Sequence, residues 1–331
     1  MTTRDDFERP ATSVDVAQRA GVSRSTVSSI LNGNDSRFPE ATRERVRAAA
    51  AELDYRPSLA GRSLVSGRSD TIVVLLPNTS FQTNLQDAVD QVMQTTSHIG
   101  SNVVVRFVGS TMESTVSAIL ALRPLAIVDF AGLSSADRRI LEQRGAIIVP
   151  DRADEDLGYI PDSGISELQA GALMERGARS LWYAALNDER LDPYGPGRFV
   201  SLQDFCRRNR LKAPHRIEVP LDLGGAIAAL SHVVAKSTPV GIACYNDDVA
   251  LALLAAAREL KIDVPRTVSV VGVDRTPVGQ LWSPPLTTVD TDVRGLAEIL
   301  SRDLSERISG VRIPTDGPRR YQFRLIPGGT S

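Results

Sequence analysis

Between residues 24 and 37 lies a set of side chains suited to gripping the edges of nucleic-acid bases. Val27, Ile30 and Leu31 fall on one face of a short helix and are expected to turn inward. Arg24, Ser25, Ser28 and Ser29 are then left on the outer face, with Thr26 nearer a phosphate backbone. Asn32-Gly33 ends the helix, and Arg37 follows in the next loop. The expected DNA contacts on this helix and at its end are Arg24, Ser25, Thr26, Ser29 and Asn32. A guanidinium such as that of Arg24 can donate two bonds to one guanine, discriminating by about 1–3 kcal/mol. It can equally rest on a phosphate and carry no sequence information.

These groups need a frame, and the flanking residues supply one. Thr12 or Ser13 can cap a first helix, whose apolar stripe is read as Val14, Ala17 and Ala20. Gly21 breaks that helix, because glycine enters left-handed geometry without a steric cost. Ser23 can cap the second helix. A third fits residues 40–53, with Val46, Ala49, Ala50 and Leu53 on its buried side. Helix, glycine turn, helix is a device for presenting a short helix to DNA. It also occurs in helical domains that never touch DNA.

Charge bounds how such a device could work. The chain of 331 residues carries a net charge of -2, which argues against a general nucleic-acid coat. Residues 1–68 hold 11 Arg against 9 acidic residues, or +2, and the remainder holds 27 basic against 31 acidic residues, or -4. Affinity should therefore need two copies and accurate placement, with phosphate contacts making it salt-dependent. The N-terminal residues have charges and no apolar run, so no signal peptide is expected. No apolar run reaches the length of a membrane span, about 18 residues. Two cysteines, Cys206 and Cys244, suit buried free thiols in a reducing cytoplasm.

From Asp70 the texture changes. Short apolar runs at 71–77, 103–108, 126–130, 146–149, 180–184, 241–245 and 268–273 read as buried parallel strands. Helical stretches lie between them, among them 85–93, 135–144, 199–209 and 248–260. Alternation of this kind implies parallel sheets covered on both faces, and so many strands imply two lobes. Ligands of open sheets bind beyond the carboxyl ends of the strands, which places a site in the cleft between the lobes.

The N-terminal segment resembles the lactose-repressor/galactose-repressor (LacI/GalR) family of bacterial transcription regulators. The matching residues are Asp15-Val16-Ala17, Ala20-Gly21-Val22-Ser23, Thr26-Val27-Ser28, Leu31-Asn32-Gly33, 42–46 and 53–57. The resemblance continues through Asn246-Asp247, Val264-Pro265, 269–274 and 284–289. It implies an α headpiece with a helix-turn-helix at 1–56, a hinge at 57–69 and a periplasmic-binding-protein-like α/β sensor and dimerisation region of two lobes at 70–331. The first lobe is expected at about 70–177 and 290–313, the second at about 178–289 and 314–331. In the family the hinge folds on DNA and a leucine wedges into the minor groove, the place held here by Leu64. Leu64 could instead pack under a linker. Gly61 stands where the family usually has alanine, and glycine costs a helix about 1 kcal/mol. The family often has a basic residue where Ser29 stands, so its base contact should be reduced. An Arg also reaches a base in the family at a position resembling Arg37.

The resemblance further implies effector contacts at Arg198, Asp247 and Asp274, with Asp162 as another match and Phe81 as an apolar wall. A carboxylate at a strand end often only caps the next helix, and an exposed Arg is often only solvated. The implied effector is a sugar or related metabolite, with a nucleoside, an organic acid or no effector left open.

No Gly-x-Gly-x-x-Gly, P-loop, Gly-x-Ser-x-Gly or His-Glu-x-x-His pattern occurs, and His98, His215 and His232 are isolated. No catalytic residue, metal or cofactor is expected. One recognition helix per chain implies a homodimer on a near-palindromic double-stranded operator. The reading is a cytoplasmic bacterial repressor, at the nucleoid when on DNA, with no membrane partner. The alternatives are a solute-binding protein without a DNA role and an enzyme on a two-lobe scaffold.

Overall fold

The computed structural model describes residues 11–31, 35–55, 69–78, 83–97, 101–151, 163–187, 194–236, 238–311 and 323–331. The chain folds as two compact units, an N-terminal helical one and a larger α/β one.

In the first unit, α1 (Ser13–Ala20) begins with a reciprocal cap. The Thr12 side chain accepts from the Asp15 amide, and the Asp15 carboxylate accepts from the Thr12 amide at 2.7 Å. Gly21 ends the helix at φ 67°, a left-handed geometry that suits glycine. α2 (Arg24–Leu31) starts where Ser23 Oγ accepts from the Thr26 amide at 3.1 Å. α3 (Glu40–Glu52) closes the unit. Val16, Ala17, Ala20, Val27, Ile30, Val46, Ala49 and Ala50 form the buried core, with Leu53 packed against it. Val14 does not join this stripe as expected: it is 53% exposed, while Val16 is fully buried. At about 100° per residue, Val16, Ala17 and Ala20 share one side, and Val14 points roughly 110° away from its centre.

In the second unit, one sheet holds β1 (Thr71–Leu76), β2 (Asn102–Phe107), β3 (Ala126–Asp129) and β4 (Ile147–Val149) in the order β2-β1-β3-β4. α4 (Thr83–Thr96), α5 (Met112–Leu122) and α6 (Ser135–Glu142) alternate with these strands. The other sheet holds β5 (Ser180–Leu186), β6 (His215–Val219), β7 (Val240–Cys244), β8 (Val268–Val273), β9 (Thr287–Asp290) and β10 (Arg324–Ile326). Its order is β10-β9-β8-β7-β5-β6, parallel except for β10. α7 (Ser163–Glu175), α8 (Gly195–Arg208), α9 (Leu223–Lys236), α10 (Asp247–Glu259) and the short α11 (Pro277–Leu281) belong to this second lobe. The chain then returns, and α12 (Val293–Ser309) packs on α4 and the first sheet.

Strand order reverses between β1 and β3 in the first sheet and between β5 and β7 in the second. Helices that leave in opposite directions open a crevice beyond the carboxyl ends at such points. The apolar runs all become strands, and β6, β9 and β10 add to them. β6 is a mostly exposed edge strand with mixed residues, β9 is four residues long with two threonines, and β10 has three residues. None carries a long apolar run for a sequence reading to find.

The lobe boundary expected at residue 177 is corrected. α7 lies in the second lobe, because the buried Gln169 Nε2 donates to the carbonyls of Cys244 at 2.8 Å and Val271 at 3.0 Å. The crossing from the first lobe therefore precedes Ser163. Among the described residues no helix is long and apolar enough to cross a membrane.

Candidate nucleic-acid interface and effector cleft

On the headpiece, the outer face of α2 carries a guanidinium near each end. Arg24 is exposed, and its Nε donates to Ser13 Oγ at 3.2 Å, which ties its stem to the start of α1. Arg37 Nη2 donates to Ser29 Oγ at 2.9 Å, and its guanidinium lies 4.9 Å from the Phe38 ring centroid. The loop that delivers Arg37 is held to α3 by Asp35, which accepts from Arg47 at 2.6 Å. Ser29 thus brings a cation to a helix position that lacks one of its own. Thr26 Oγ1 lies 2.9 Å from Ser23 Oγ, and Ser25 Oγ lies 2.7 Å from the same atom. These hydroxyls cluster at the amino end of α2, where free amides and the helix dipole favour a phosphate.

The candidate effector site centres on Arg198, near the start of α8. This side chain is buried, and Nη1 donates to the Tyr245 carbonyl at 2.5 Å. Its guanidinium carbon lies 5.1 Å from the Tyr245 ring centroid and 5.5 Å from that of Tyr194. Two aromatic faces therefore flank one delocalised cation, a favourable arrangement when water is excluded.

Asp274 follows β8 and is half-buried. Burial raises its carboxyl pKa to about 6, Asp248 and Asp290 add to that, and the Arg198 charge and Thr291 oppose it. Asp274 and Arg275 both hold positive φ, 97° and 51°. Non-glycine residues seldom adopt that geometry, and it persists only where the surroundings enforce it. The enforcing contacts are the Asp274 amide to the Val289 carbonyl at 2.8 Å and the Arg275 guanidinium to Asp290 at 3.1 Å.

Asp247 does not face the cleft as expected. It is fully buried, and both oxygens are engaged: Oδ2 accepts from the Thr276 amide at 2.6 Å and the Thr276 hydroxyl at 3.0 Å, and Oδ1 from the Thr288 hydroxyl at 2.6 Å. Gly272 makes room for it, since a Cβ there would lie 2.2 Å from Oδ1. Burial raises the pKa of this carboxyl to about 7 against those hydrogen bonds. Asp247 is a lock that ties α10 to the loop carrying Asp274.

The first lobe meets Tyr194 at the loop after β3. The buried Asp129 at the end of β3 accepts from the amides of Ala131, Gly132 and Leu133 at 2.9–3.0 Å, and Arg138 pairs with it at 3.2 Å. Burial raises the pKa of its carboxyl as well. The Tyr194 hydroxyl crosses from the second lobe and donates to the Phe130 carbonyl at 2.5 Å.

Residues 13–58 match the family described as bacterial regulatory proteins, lacI family, and residues 170–331 match the periplasmic binding protein-like domain. The transcriptional regulator MalR of Streptomyces coelicolor is 31% identical over 323 residues, covering 91% of each chain. The regulator reg1 of Streptomyces lividans is 30% identical over 324 residues, again 91% of each. The chain belongs to the LacI family. It is a DNA-binding transcriptional regulator. The fold is also that of a lac repressor dimer bound to operator and the anti-inducer ONPF, with a TM-score of 0.75 at 24% identity, covering 97% of this chain and 99% of that one.

In this LacI-family regulator, Arg24, Ser25, Thr26 and Ser29 share α2, and Arg37 joins them from the following loop. Arg198 and Asp274 come within electrostatic reach of each other. Asn32, Leu64, Phe81 and Asp162 lie outside the described residues. Sequence reading missed Tyr194 and Tyr245. Tyr245 was legible as the last residue of an apolar run at a strand's carboxyl end. Tyr194 precedes Gly195-Pro196, a helix-start signal, and so occupies the cap position just before α8.

Proposed function

We propose that this LacI-family regulator is a homodimeric repressor that acts in the cytoplasm on a near-palindromic operator. Its operator affinity is set by a small, hydroxyl-rich molecule, a sugar or related metabolite, held between the lobes. The observation that carries the reading is the buried Arg198, flanked by Tyr194 and Tyr245 and within charge reach of Asp274, at the carboxyl ends of the strands. Cation and carboxylate largely offset each other, which favours a neutral ligand offering both donors and acceptors over an anion. Flat ring faces favour a ligand with an apolar side. The lac repressor of similar fold was captured with operator and an anti-inducer, which supports the same division of labour here.

Dimerisation is supported by an apolar surface on the second lobe. Leu281 is 85% exposed and Val278 62% exposed. Leu281 lines a groove of about 510 Å³ together with Leu254, Ile262, Val264, Trp282 and Pro284, and Val278 shares its short helix α11. A second copy covering it gives two recognition helices related by a dyad.

The test is a gel-shift titration on DNA flanking the chain's own gene, at fixed salt, with and without a panel of mono- and disaccharides. One near-palindrome should be retained preferentially, and one sugar should shift the midpoint. Uniform retention of all DNA overturns the reading, and so does sugar binding by calorimetry with unchanged DNA affinity. Leu281→Asp should sediment as a monomer and lose operator affinity; a dimeric variant overturns the interface.

A further inference from the structure

Tyr194 carries two contacts that belong to different lobes. Its ring lies against the Arg198 guanidinium, 5.5 Å from the centroid, and its hydroxyl donates to the Phe130 carbonyl at the end of β3. Both anchorages are stiff. On the first-lobe side, the Phe130 amide donates to the Leu75 carbonyl at 2.9 Å, and the next three amides are fixed by Asp129. Asp129 is pinned in turn by Arg138. On the second-lobe side, the Tyr194 carbonyl accepts from the Arg198 amide at 3.0 Å, so the residue is built into the first turn of α8. Pro196 restricts that turn further. Neither end can follow a movement of the other lobe, so the hydrogen bond must break when the lobes part.

We propose that Tyr194 is a positioning residue that clasps the two lobes and passes the state of Arg198 to the first lobe. A ligand held at Arg198 then meets the Tyr194 ring as well, because the guanidinium lies over that ring, 5.5 Å from its centroid. Seating or displacing the ring makes or breaks the bond to Phe130. The same phenol is therefore wall and clasp, and ligand contact is linked to lobe closure without any change of secondary structure. Linkage is reciprocal, so removing the clasp alters ligand affinity as well as lobe position. This step rests on the regulator reading only where it reaches operator DNA; the clasp itself does not.

Tyr194→Phe deletes the hydroxyl and keeps the ring over Arg198. Spin labels at Arg139→Cys and Lys212→Cys, exposed positions of the first and second lobe, report the interlobe distance by double electron–electron resonance. The native Cys206 and Cys244 are buried and stay unlabelled. Without any ligand, Tyr194→Phe should shift the ratio of short to long distances by roughly three- to tenfold, the effect of one hydrogen bond. Its affinity for the operator found by gel shift should change by up to the same factor, and the direction tells which lobe arrangement holds DNA. A purely structural role would lower thermal stability and leave both readouts unmoved. Unchanged distances overturn the clasp. Shifted distances with unchanged operator affinity overturn the transmission. If the parent chain retains no DNA selectively, the regulator reading falls and the distance measurement still decides the clasp.

Discussion

Asp247 makes the stability of the second lobe depend on pH in a range where ordinary carboxylates have finished titrating. Its pKa is raised to about 7 from 3.8, chiefly by burial. A raised value means that the native state binds this proton more tightly than the unfolded chain does. The free energy of unfolding therefore falls as pH rises between the two values. The stabilisation is complete below pH 3.8 and is lost as pH climbs through about 7. Between pH 5 and pH 7.5 the loss comes to about 2.5 kcal/mol, nearly two tenfold steps at about 1.36 kcal/mol each. Asp274, with a pKa of about 6, adds in the same direction. The proton has a place to go, because Thr288 Oγ1 lies 2.6 Å from Oδ1 and a hydroxyl can reverse its bond to accept from the acid. Both tryptophans of the chain, Trp182 and Trp282, lie in the second lobe, so their fluorescence follows that lobe alone. In urea the Asp247 contribution alone should lower the midpoint by roughly 1 M from pH 5 to pH 7.5, given a slope of about 2–3 kcal/mol/M. Asp247→Asn keeps the shape and removes the titration, so most of the pH dependence should vanish. Equal midpoints at the two pH values in the parent chain would refute the reasoning, as would an Asn variant that keeps the full dependence.

Two predictions concern the headpiece. Arg24→Ala should relax the choice of one base pair in each half-site by about 1–3 kcal/mol, measured by anisotropy on single-base operator variants; equal weakening on every sequence would mark a phosphate contact instead. Ser29→Ala and Arg37→Ala should be non-additive in operator affinity by at least about 0.5 kcal/mol, since one side chain positions the other; additive losses would show that the Ser29–Arg37 bond does not persist on DNA.

Much of this organisation was legible because it rests on local signals. The helix-turn-helix follows from Gly21, the caps at Thr12 and Ser23, and a few apolar residues. Seven strands announce themselves as apolar runs because parallel strands are buried on both faces. What stayed hidden depends on long-range placement. The partnership of Ser29 with Arg37 needs the loop path that Asp35 fixes through Arg47. The roles of Asp247 and Asp274 were not separable in sequence, because both are carboxylates at strand ends. Only burial distinguishes the one closed in by Thr276 and Thr288 from the one beside Arg198. The assignment of α7 to the second lobe was equally out of reach, since nothing in its sequence says which sheet Gln169 will meet.

The two buried acids bear on how the proposed site could act as a switch. Asp129 ends β3 beside the crossover of the first sheet, and Asp247 opens α10 beside the crossover of the second. Each accepts backbone amides of the loop that follows a strand: those of Ala131, Gly132 and Leu133 in one lobe, that of Thr276 in the other. Unsatisfied, such buried amides would cost about 1–3 kcal/mol each. These two loops are therefore held by the fold itself, and a ligand bound beside them has little local ordering left to provide. Under the proposed reading, its differential affinity for two arrangements of the lobes is then what remains to shift the regulator between states.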